Sequence, residues 1–206
     1  MAHRFAELMF TPQVMQVQAE QGSRAAYSRF AEPHAPANDR LTDQEADFIA
    51  ARDCFYMATV SETGWPYVQH RGGPTGFLKV IDDRTIGFPD YRGNRQYLSV
   101  GNLVGNDRVS LILMDYPNRR RLKLIGHARA VVASSEANLL VLLEEASEAK
   151  VERGIVITLE GFDWNCPQHI TPRYSREELG DMLGPLQARM RALEDENEVL
   201  RARLAS

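Results

Sequence analysis

Residues 55–73 read FYMATVSETGWPYVQHRGG, and the period of this stretch decides the fold. From Cys54 the side chains alternate one by one, as they do when successive residues face opposite sides of a strand. Glu62-Thr63-Gly64 interrupts the alternation with turn-forming residues, and alternation resumes at Tyr67. The reading is strand, tight turn, strand. Phe55, Tyr56 and Met57 are expected in a core or an interface, and Trp65 is expected to pack.

The same pattern recurs downstream. GFLKVIDDRTIGF (76–88) is a second hairpin with Asp82-Asp83 at its turn, and RVSLILMDY (108–116) and RRLKLIGHARAVVA (120–133) are strands joined through Pro117-Asn118. SSEANLLVLLEEASEA (134–149) returns to helical spacing, with serine at its start and acidic residues near its end. GIVITLEGFDW (154–164) is a last apolar strand. Six or so short strands at hairpin spacing, with few helices between them, predict an antiparallel sheet closed into a barrel. Ahead of them, LTDQEADFIAARD (41–53) predicts a helix. Thr42 and Glu45 have capping-box spacing, Leu41 lies just outside, and Ala46, Phe48 and Ile49 follow. Residues 1–40 form an N-terminal extension with an irregular connector at AEPHAPAND (31–39).

The last part of the chain has a different period. Leu179, Leu186, Leu193 and Leu200 recur every seven residues, and Leu183, Met190, Asn197 and Leu204 fill the alternate seam. The leucines take heptad position d and the second set position a. Asn197 at a is the usual device for fixing two parallel strands, and Arg189 would meet Glu194 of a partner as Glu196 would meet Arg201. Gly184-Pro185 is expected to interrupt the helix, so that the continuous piece starts at Pro185. The alternative is a helix packed on its own barrel. The domain reading is an extension over 1–40, a barrel domain over 41–175 and a dimerisation helix over 176–206. The stretch ahead of the heptads is neutral to acidic, which excludes a basic-zipper DNA reader.

The 206 residues carry a net charge of -4, with 44% hydrophobic and 25% charged residues. This is the composition of a globular chain able to bury a core. The acidic balance argues against a nucleic-acid partner, and no apolar run is long enough for a membrane span. No secretory signal is read at MAHRFAELMF, so a cytoplasmic location is expected. Cys54 and Cys166 form no CxxC and are expected to be reduced and inert. The five histidines lack metal-ligand spacing, so no metal is expected. Neither a Gly-x-Ser-x-Gly nor a dinucleotide fingerprint is present.

Against this acidic background, DYRGNRQYLSVGNLVGND (90–107) concentrates Arg92, Arg95, glycines and amides. Glycines let backbone N–H groups approach a phosphate closely, and guanidinium supplies forked donors that match it. A short helix opening after Arg95 would add its N-terminal amides. Alone the signal is weak, since Arg-Gly-Asn surface turns are common. Asp90 is expected to cap the turn through backbone bonds. In YVQHRGGPTGF (67–77), Tyr67, Gln69 and Arg71 share one strand face and His70 takes the other; Gly72-Gly73 would let backbone pass close to a flat ligand. In NRRRLKLIG (118–126), Arg121 and Lys123 alternate against Leu122 and Leu124, while Arg119 and Arg120 read as solvated turn residues.

Together, ATVSETGWPYVQHRGGPTGFLKV, IGFPDYRGNRQ, NDRVSLIL and RLKLIG resemble the flavin-binding split-barrel family typified by pyridoxamine 5'-phosphate oxidase, over roughly residues 45–170. The resemblance implies a mainly β (α+β) split barrel of the FMN-binding type with flanking helices, to which the heptads add the C-terminal coiled-coil helix. It also implies FMN held at a dimer interface by residues from both subunits. The family's first arginine falls on Arg71, beside Gln69 and Gly72. Its Ser-Arg-Lys phosphate turn falls on Gly93-Asn94-Arg95, where only Arg95 keeps the charge and Arg92 stands close by. Its Asn-Pro-x-Val stretch falls on Asn106-Asp107-Arg108-Val109 after extra residues that include Asn102, and its flavin-contacting glutamine falls on Arg121. FDWNCPQHITPRYS (162–175) lacks the family's substrate-gripping pattern, although Trp164 would stack near a flavin and His169 or Arg173 would line a substrate pocket. The implied function is an FMN-dependent oxidoreductase acting on a small molecule other than pyridoxamine phosphate, with no catalytic side chain identified. The alternative is a non-catalytic flavin or haem carrier or sensor; deazaflavin is a further option in this fold.

Overall fold

Gly64, at φ 86°, makes the turn the first hairpin needs, and the Ser61 N–H closes it on the Trp65 carbonyl at 2.9 Å. The computed structural model describes residues 3–32, 34–143, 149–164 and 166–205. In it β1 (Cys54–Val60) and β2 (Pro66–Gly72) pair in unbroken register, Cys54 opposite Gly72 and Val60 opposite Pro66. The remaining strands are β3 (Lys79–Asp82), β4 (Thr85–Tyr91), β5 (Arg108–Asp115), β6 (Arg120–Val131) and β7 (Val151–Trp164). All pair antiparallel in one seven-stranded sheet of order β2-β1-β5-β6-β7-β4-β3. The helices are α1 (Arg4–Met9), α2 (Pro12–Glu20), α3 (Arg24–Tyr27), α4 (Asp43–Ala50), α5 (Leu98–Gly105), α6 (Ala133–Leu143) and α7 (Arg176–Leu204). Among the described residues no helix is long and apolar enough to cross a membrane.

The strand order puts β1 and β4 far apart along the sheet, yet Phe55 of β1 meets Phe88 of β4 edge-on at 5.1 Å between ring centres. The sheet therefore rolls around one core, as the alternation predicts. Val109, Leu111 and Leu113 of β5 point into it with Leu122, Leu124 and Ala128 of β6, all buried. Each full burial of a leucine contributes about 1.5–3 kcal/mol. The two ends of the sheet stay unpaired by backbone bonds, which makes the barrel split.

Two compact units divide the chain. Residues 1–115 and 120–167 form one, and residues 116–119 and 168–206 the other. In the first, the N-terminal segment is more than an appendage. The Arg4 N–H bonds the Ala37 carbonyl at 2.7 Å, the Phe162 N–H bonds Asn38 at 2.9 Å, and Arg4 Nη2 donates to Glu160 of β7 at 2.6 Å. Gly161 makes this seat fit, because a Cβ there would stand 2.9 Å from the Phe5 nitrogen. In the second unit α7 runs unbroken from Arg176, with Pro185 inside it. The start expected at Pro185 is thus corrected. Ser175 and Glu178 form a capping box that starts the helix nine residues earlier, at Arg176, the Glu178 N–H on Ser175 Oγ at 3.1 Å and the Ser175 N–H on Glu178 at 2.7 Å. Arg173 lies over the Tyr116 ring at 5.1 Å and His169 sits at φ 62°. The acidic end read for the helix after Ser134, Glu144 to Glu148, lies outside the described residues; α6 itself is kinked at Glu136.

The capping box on α4 does more than start a helix. Glu45 accepts from the Thr42 backbone at 3.0 Å and from its hydroxyl at 2.6 Å, while its other oxygen accepts from Trp164 Nε1 at 2.7 Å. The Trp164 ring packs edge-on against Phe48 at 4.8 Å, and the Arg120 guanidinium lies 4.7 Å over the indole. Arg120 is exposed, as expected, and its cation is in addition attracted by the two ring faces, Phe48 and Trp164. Trp65 goes the other way: at 75% exposed it projects from the hairpin tip and does not pack.

Burial opposes ionisation of Glu45, yet the bonds from Thr42 and Trp164 outweigh it and hold the carboxyl below the usual carboxylate range. Its stabilising contribution is accordingly present above the unfolded ionisation range and is lost as pH falls through the folded value. Trp164→Phe keeps the ring and removes the donor, so chemical denaturation at neutral pH should show a loss of about 1–3 kcal/mol. The loss should shrink in acid. An unchanged midpoint at neutral pH would remove the indole–carboxylate bond from this account.

Candidate functional site

β2 places Tyr67, Gln69 and Arg71 on one face and leaves Val68 and His70 outside, as alternation predicts. His70 instead packs edge-on against Tyr56 at 5.5 Å. The inward three form one wall of a cavity of about 230 Å³, and the loop after β4 forms the other: Gly93, Asn94, Arg95, Gln96 and Tyr97 all line it. The strand face and the loop, about 26 residues apart in the chain, thus meet in one place.

The loop is strained. Arg95 (φ 61°) and Tyr97 (φ 54°) occupy the left-handed region, which costs a non-glycine residue about 1–2 kcal/mol each. Concave turns of this sort gather backbone N–H groups that bind anions. Asn94 Oδ1 accepts from the Gln96 N–H at 3.2 Å and so holds the turn. Gly93 has no steric need to be glycine, since an added Cβ meets nothing within 4 Å. The later glycines, Gly101 and Gly105, belong to α5 and not to the loop. That helix is tied down by Ser99 Oγ donating to Gln69 at 3.0 Å and by Asn102 Nδ2 donating to Thr59 at 2.9 Å.

A charge network closes the floor. Arg71 Nη1 donates to Asp90 Oδ1 at 2.7 Å, and Arg153 Nε lies 3.3 Å from the other Asp90 oxygen. Arg153 Nη2 donates to Glu152 at 3.1 Å, and Arg92 Nε lies 3.7 Å from Glu152. Arg95 Nε donates to the Tyr97 hydroxyl at 3.2 Å, which in turn donates to Glu152 at 3.5 Å. The expectation that Asp90 caps a turn is corrected: the β4–β7 register sets it opposite Arg153, and the roll of the sheet brings Arg71 to it. Burial raises the Asp90 carboxyl above its ordinary value, outweighing the pull of Arg71 and Arg153. Counted together, the network holds four guanidinium groups and two carboxylates, a formal excess of two positive charges; Arg71, Arg95, Asp90 and Glu152 line the cavity, and Arg92 and Arg153 stand behind them. Arg71 Nε and the Tyr91 hydroxyl are also buried with no hydrogen-bond partner among the described residues, and both residues line the cavity.

The other expected residues lie elsewhere. Gly72 lines a smaller hollow of about 130 Å³ with Phe77 and Phe88. Asn102 is spent on Thr59, and Trp164 on Glu45 and Phe48. Arg121 sits on β6 opposite Met114. None of these four lines the cavity. Arg92 stands behind its wall through Glu152. The sequence reading missed Tyr91, Tyr97, Ser99, Glu152 and Arg153; their one advance signal is the Glu-Arg pair opening the last strand. A larger hollow of about 460 Å³ lies between Leu8, Met9, Val60, Pro66 and Ile125. None of its lining residues has a buried unpartnered polar atom among the described residues. Among the described residues no cluster of three His, Cys, Asp or Glu side chains could hold a metal. Burial pushes the half-buried Cys54 thiol up to about 11.

The sequence profile of the pyridoxamine 5'-phosphate oxidase family matches residues 41–160, more than half the chain and the whole cavity wall. The chain belongs to this family. No curated protein matches it. Among solved structures it is similar to a Lactobacillus delbrueckii protein provisionally named a pyridoxamine 5'-phosphate oxidase, at 18% identity and TM-score 0.48, covering 61% of this chain and 94% of that one. It is also similar to an FMN-binding protein of Syntrophomonas wolfei, at 12% identity and TM-score 0.45, covering 72% and 97%. The Group A Streptococcus protein HupZ is similar at 14% identity and TM-score 0.46, covering 65% and 99%. The family assignment rests on the profile.

Arg71 and Asp90 are both largely buried, so removing one partner strands the other. Arg71→Ala should destabilise the protein by about 3 kcal/mol, and Arg71→Ala with Asp90→Ala should recover a large part of it. A double-mutant cycle by urea denaturation reads the coupling; strict additivity would mean the pair does not tie β2 to β4.

Proposed function

We propose that this chain is a flavin-dependent oxidoreductase of its family, binding FMN through the phosphate at the cavity between β2 and the 92–97 loop. The observation that carries the reading is the excess of two positive charges beside a strained turn, matched to a phosphate monoester dianion. The two orphaned donors, Arg71 Nε and the Tyr91 hydroxyl, support it further, because buried donors of this kind cost stability until a ligand accepts from them.

In this reading Arg95, Asn94 and the Gly93 backbone hold the phosphate from the loop side. Arg71 holds it from the strand, and Arg92 contributes charge from behind. Gln69, on the same strand face and fixed by Ser99, lies toward the ring. When bound, the flavin supplies hydride transfer through its ring system. The chain's own groups orient the cofactor and exclude water. Asp90 and Glu152 are each engaged by guanidinium groups, which suits them to shaping the field and not to moving protons. The cavity of about 230 Å³ is smaller than the roughly 300–1,000 Å³ of most small-molecule sites. This supports a site completed by a second copy of the chain, so the working unit in this reading is a homodimer. The substrate is a small organic molecule other than pyridoxamine phosphate, in keeping with the altered residues after Trp164.

Parallel titrations with FMN and riboflavin test the reading, because the two differ only in the phosphate. FMN should bind about 10–100-fold more tightly, the worth of one or two charge-assisted hydrogen bonds. Arg95→Ala should lower FMN affinity about tenfold and leave riboflavin and the thermal midpoint unchanged. Equal affinity for both flavins would refute the phosphate assignment. Multiple turnovers with oxygen after chemical reduction identify the oxidoreductase; bound flavin that never cycles identifies a carrier.

A further inference from the structure

We infer that α7 is one half of a parallel, in-register, two-stranded coiled coil whose other half is the same helix of a second copy. The inference rests on the second compact unit alone and is independent of the flavin reading.

The helix has no buried residue. Its seam side chains Leu179, Leu183, Leu186, Met190, Leu193, Leu200 and Leu204 are between 40% and 88% exposed. A continuous apolar stripe of this length is not stable in water by itself. Nor is the helix strong by propensity, since Gly180, Gly184 and Pro185 lie within it. Counting heptads from Leu183 as a, Gly184 and Pro185 fall at b and c, on the face away from the seam. The interrupting residues are thus placed where a partner does not need to pack.

Asn197 decides the direction. It is the one polar residue on the seam after Leu179, and it occupies an a position. In an antiparallel pair a side chains pack against d side chains, and every d position here is leucine. Asn197 would then be sealed against leucine in any antiparallel register, with its amide unmatched. In a parallel in-register pair a meets a, so Asn197 faces Asn197 of the second copy and each amide finds a partner. Its Nδ2 now reaches back to the Leu193 carbonyl at 2.9 Å, which leaves its oxygen free to accept.

The flanking charges agree. In the parallel register, position g of one helix faces the following e of the other. Arg189 then meets Glu194 and Glu196 meets Arg201, with no like-charge pair; Met182 against Gln187 is neutral. The antiparallel register that sets Met190 against Leu193 also joins Arg189 to Glu196, but it buries Asn197 on Leu186. The next register sets Arg189 against Arg203 and Glu196 against its own copy. Only the parallel register satisfies charge and amide together.

The test uses the full chain with Cys166→Ser, removing the exposed thiol, and Leu204→Cys at the last a position. Cys54, half-buried with its thiol held up near 11, carries little thiolate and stays out of the reaction. Oxidised glutathione at low micromolar protein should convert the chain to a covalent dimer on a non-reducing gel. Arg189→Glu should slow this about tenfold by putting glutamate against Glu194 in two symmetric places. Adding Glu194→Arg should restore the original rate. In the antiparallel pairing Arg189 faces Glu196, so the second change would not rescue. Absence of a cross-link overturns the proposal, as does a cross-link that Arg189→Glu leaves unchanged, which would mean tails meeting at random. Failure of rescue overturns the parallel register.

Discussion

Asp90 is a carboxylate held between two guanidinium groups that come from different parts of one sheet, Arg71 from the edge strand β2 and Arg153 from β7. No backbone bond joins β2 to β4, so this contact does the work that a strand pairing would do in a closed barrel. Its charge must be compensated because water is largely excluded, and the raised carboxyl shows how strongly burial acts there. Arg71 also lines the neighbouring cavity and brings its charge there, with Arg153 behind it. Closing the barrel and charging the site are thus one interaction seen from two sides.

Around that contact, the cavity wall divides its labour. The strand supplies fixed geometry: Tyr67, Gln69 and Arg71 stand in a row because the pleat repeats every two residues. The loop supplies donors at the cost of strain at Arg95 and Tyr97. Strain of this kind persists where surrounding bonds over-determine it, and here Asn94, Tyr97 and Glu152 provide those bonds. Glu45 repeats the principle, with a buried carboxylate kept ionised by three hydrogen bonds, two from Thr42 and one from Trp164 that joins α4 to the end of β7.

Membership of the pyridoxamine 5'-phosphate oxidase family gives the barrel its ancestry. The departures are equally informative. Where the resemblance sets a Ser-Arg-Lys turn this chain has Gly93-Asn94-Arg95, and in the proposed reading Arg92 and Arg153 supply the missing charge. A site can keep its net field while changing its residues, because a dianion responds to summed charge as well as to individual bonds.

The sequence by itself determined whatever depends on neighbours along the chain. Alternation from Cys54 fixed the first hairpin, Thr42 with Glu45 marked a helix start, Tyr67, Gln69 and Arg71 were assigned to one face, and the heptads from Leu179 marked the final helix. Where one local signal competed with another, the reading went astray: Pro185 suggested a helix start that the Ser175–Glu178 cap had already supplied. Only the tertiary structure decided that Asp90 bonds guanidinium groups, that Arg120 covers Trp164, and that Glu152 and Arg153 stand beside the 92–97 loop. Those contacts join residues up to 63 positions apart, as Arg153 is from Asp90. Their distances are set by strand register and by the curvature of the sheet, and neither quantity is written in the period of any single segment.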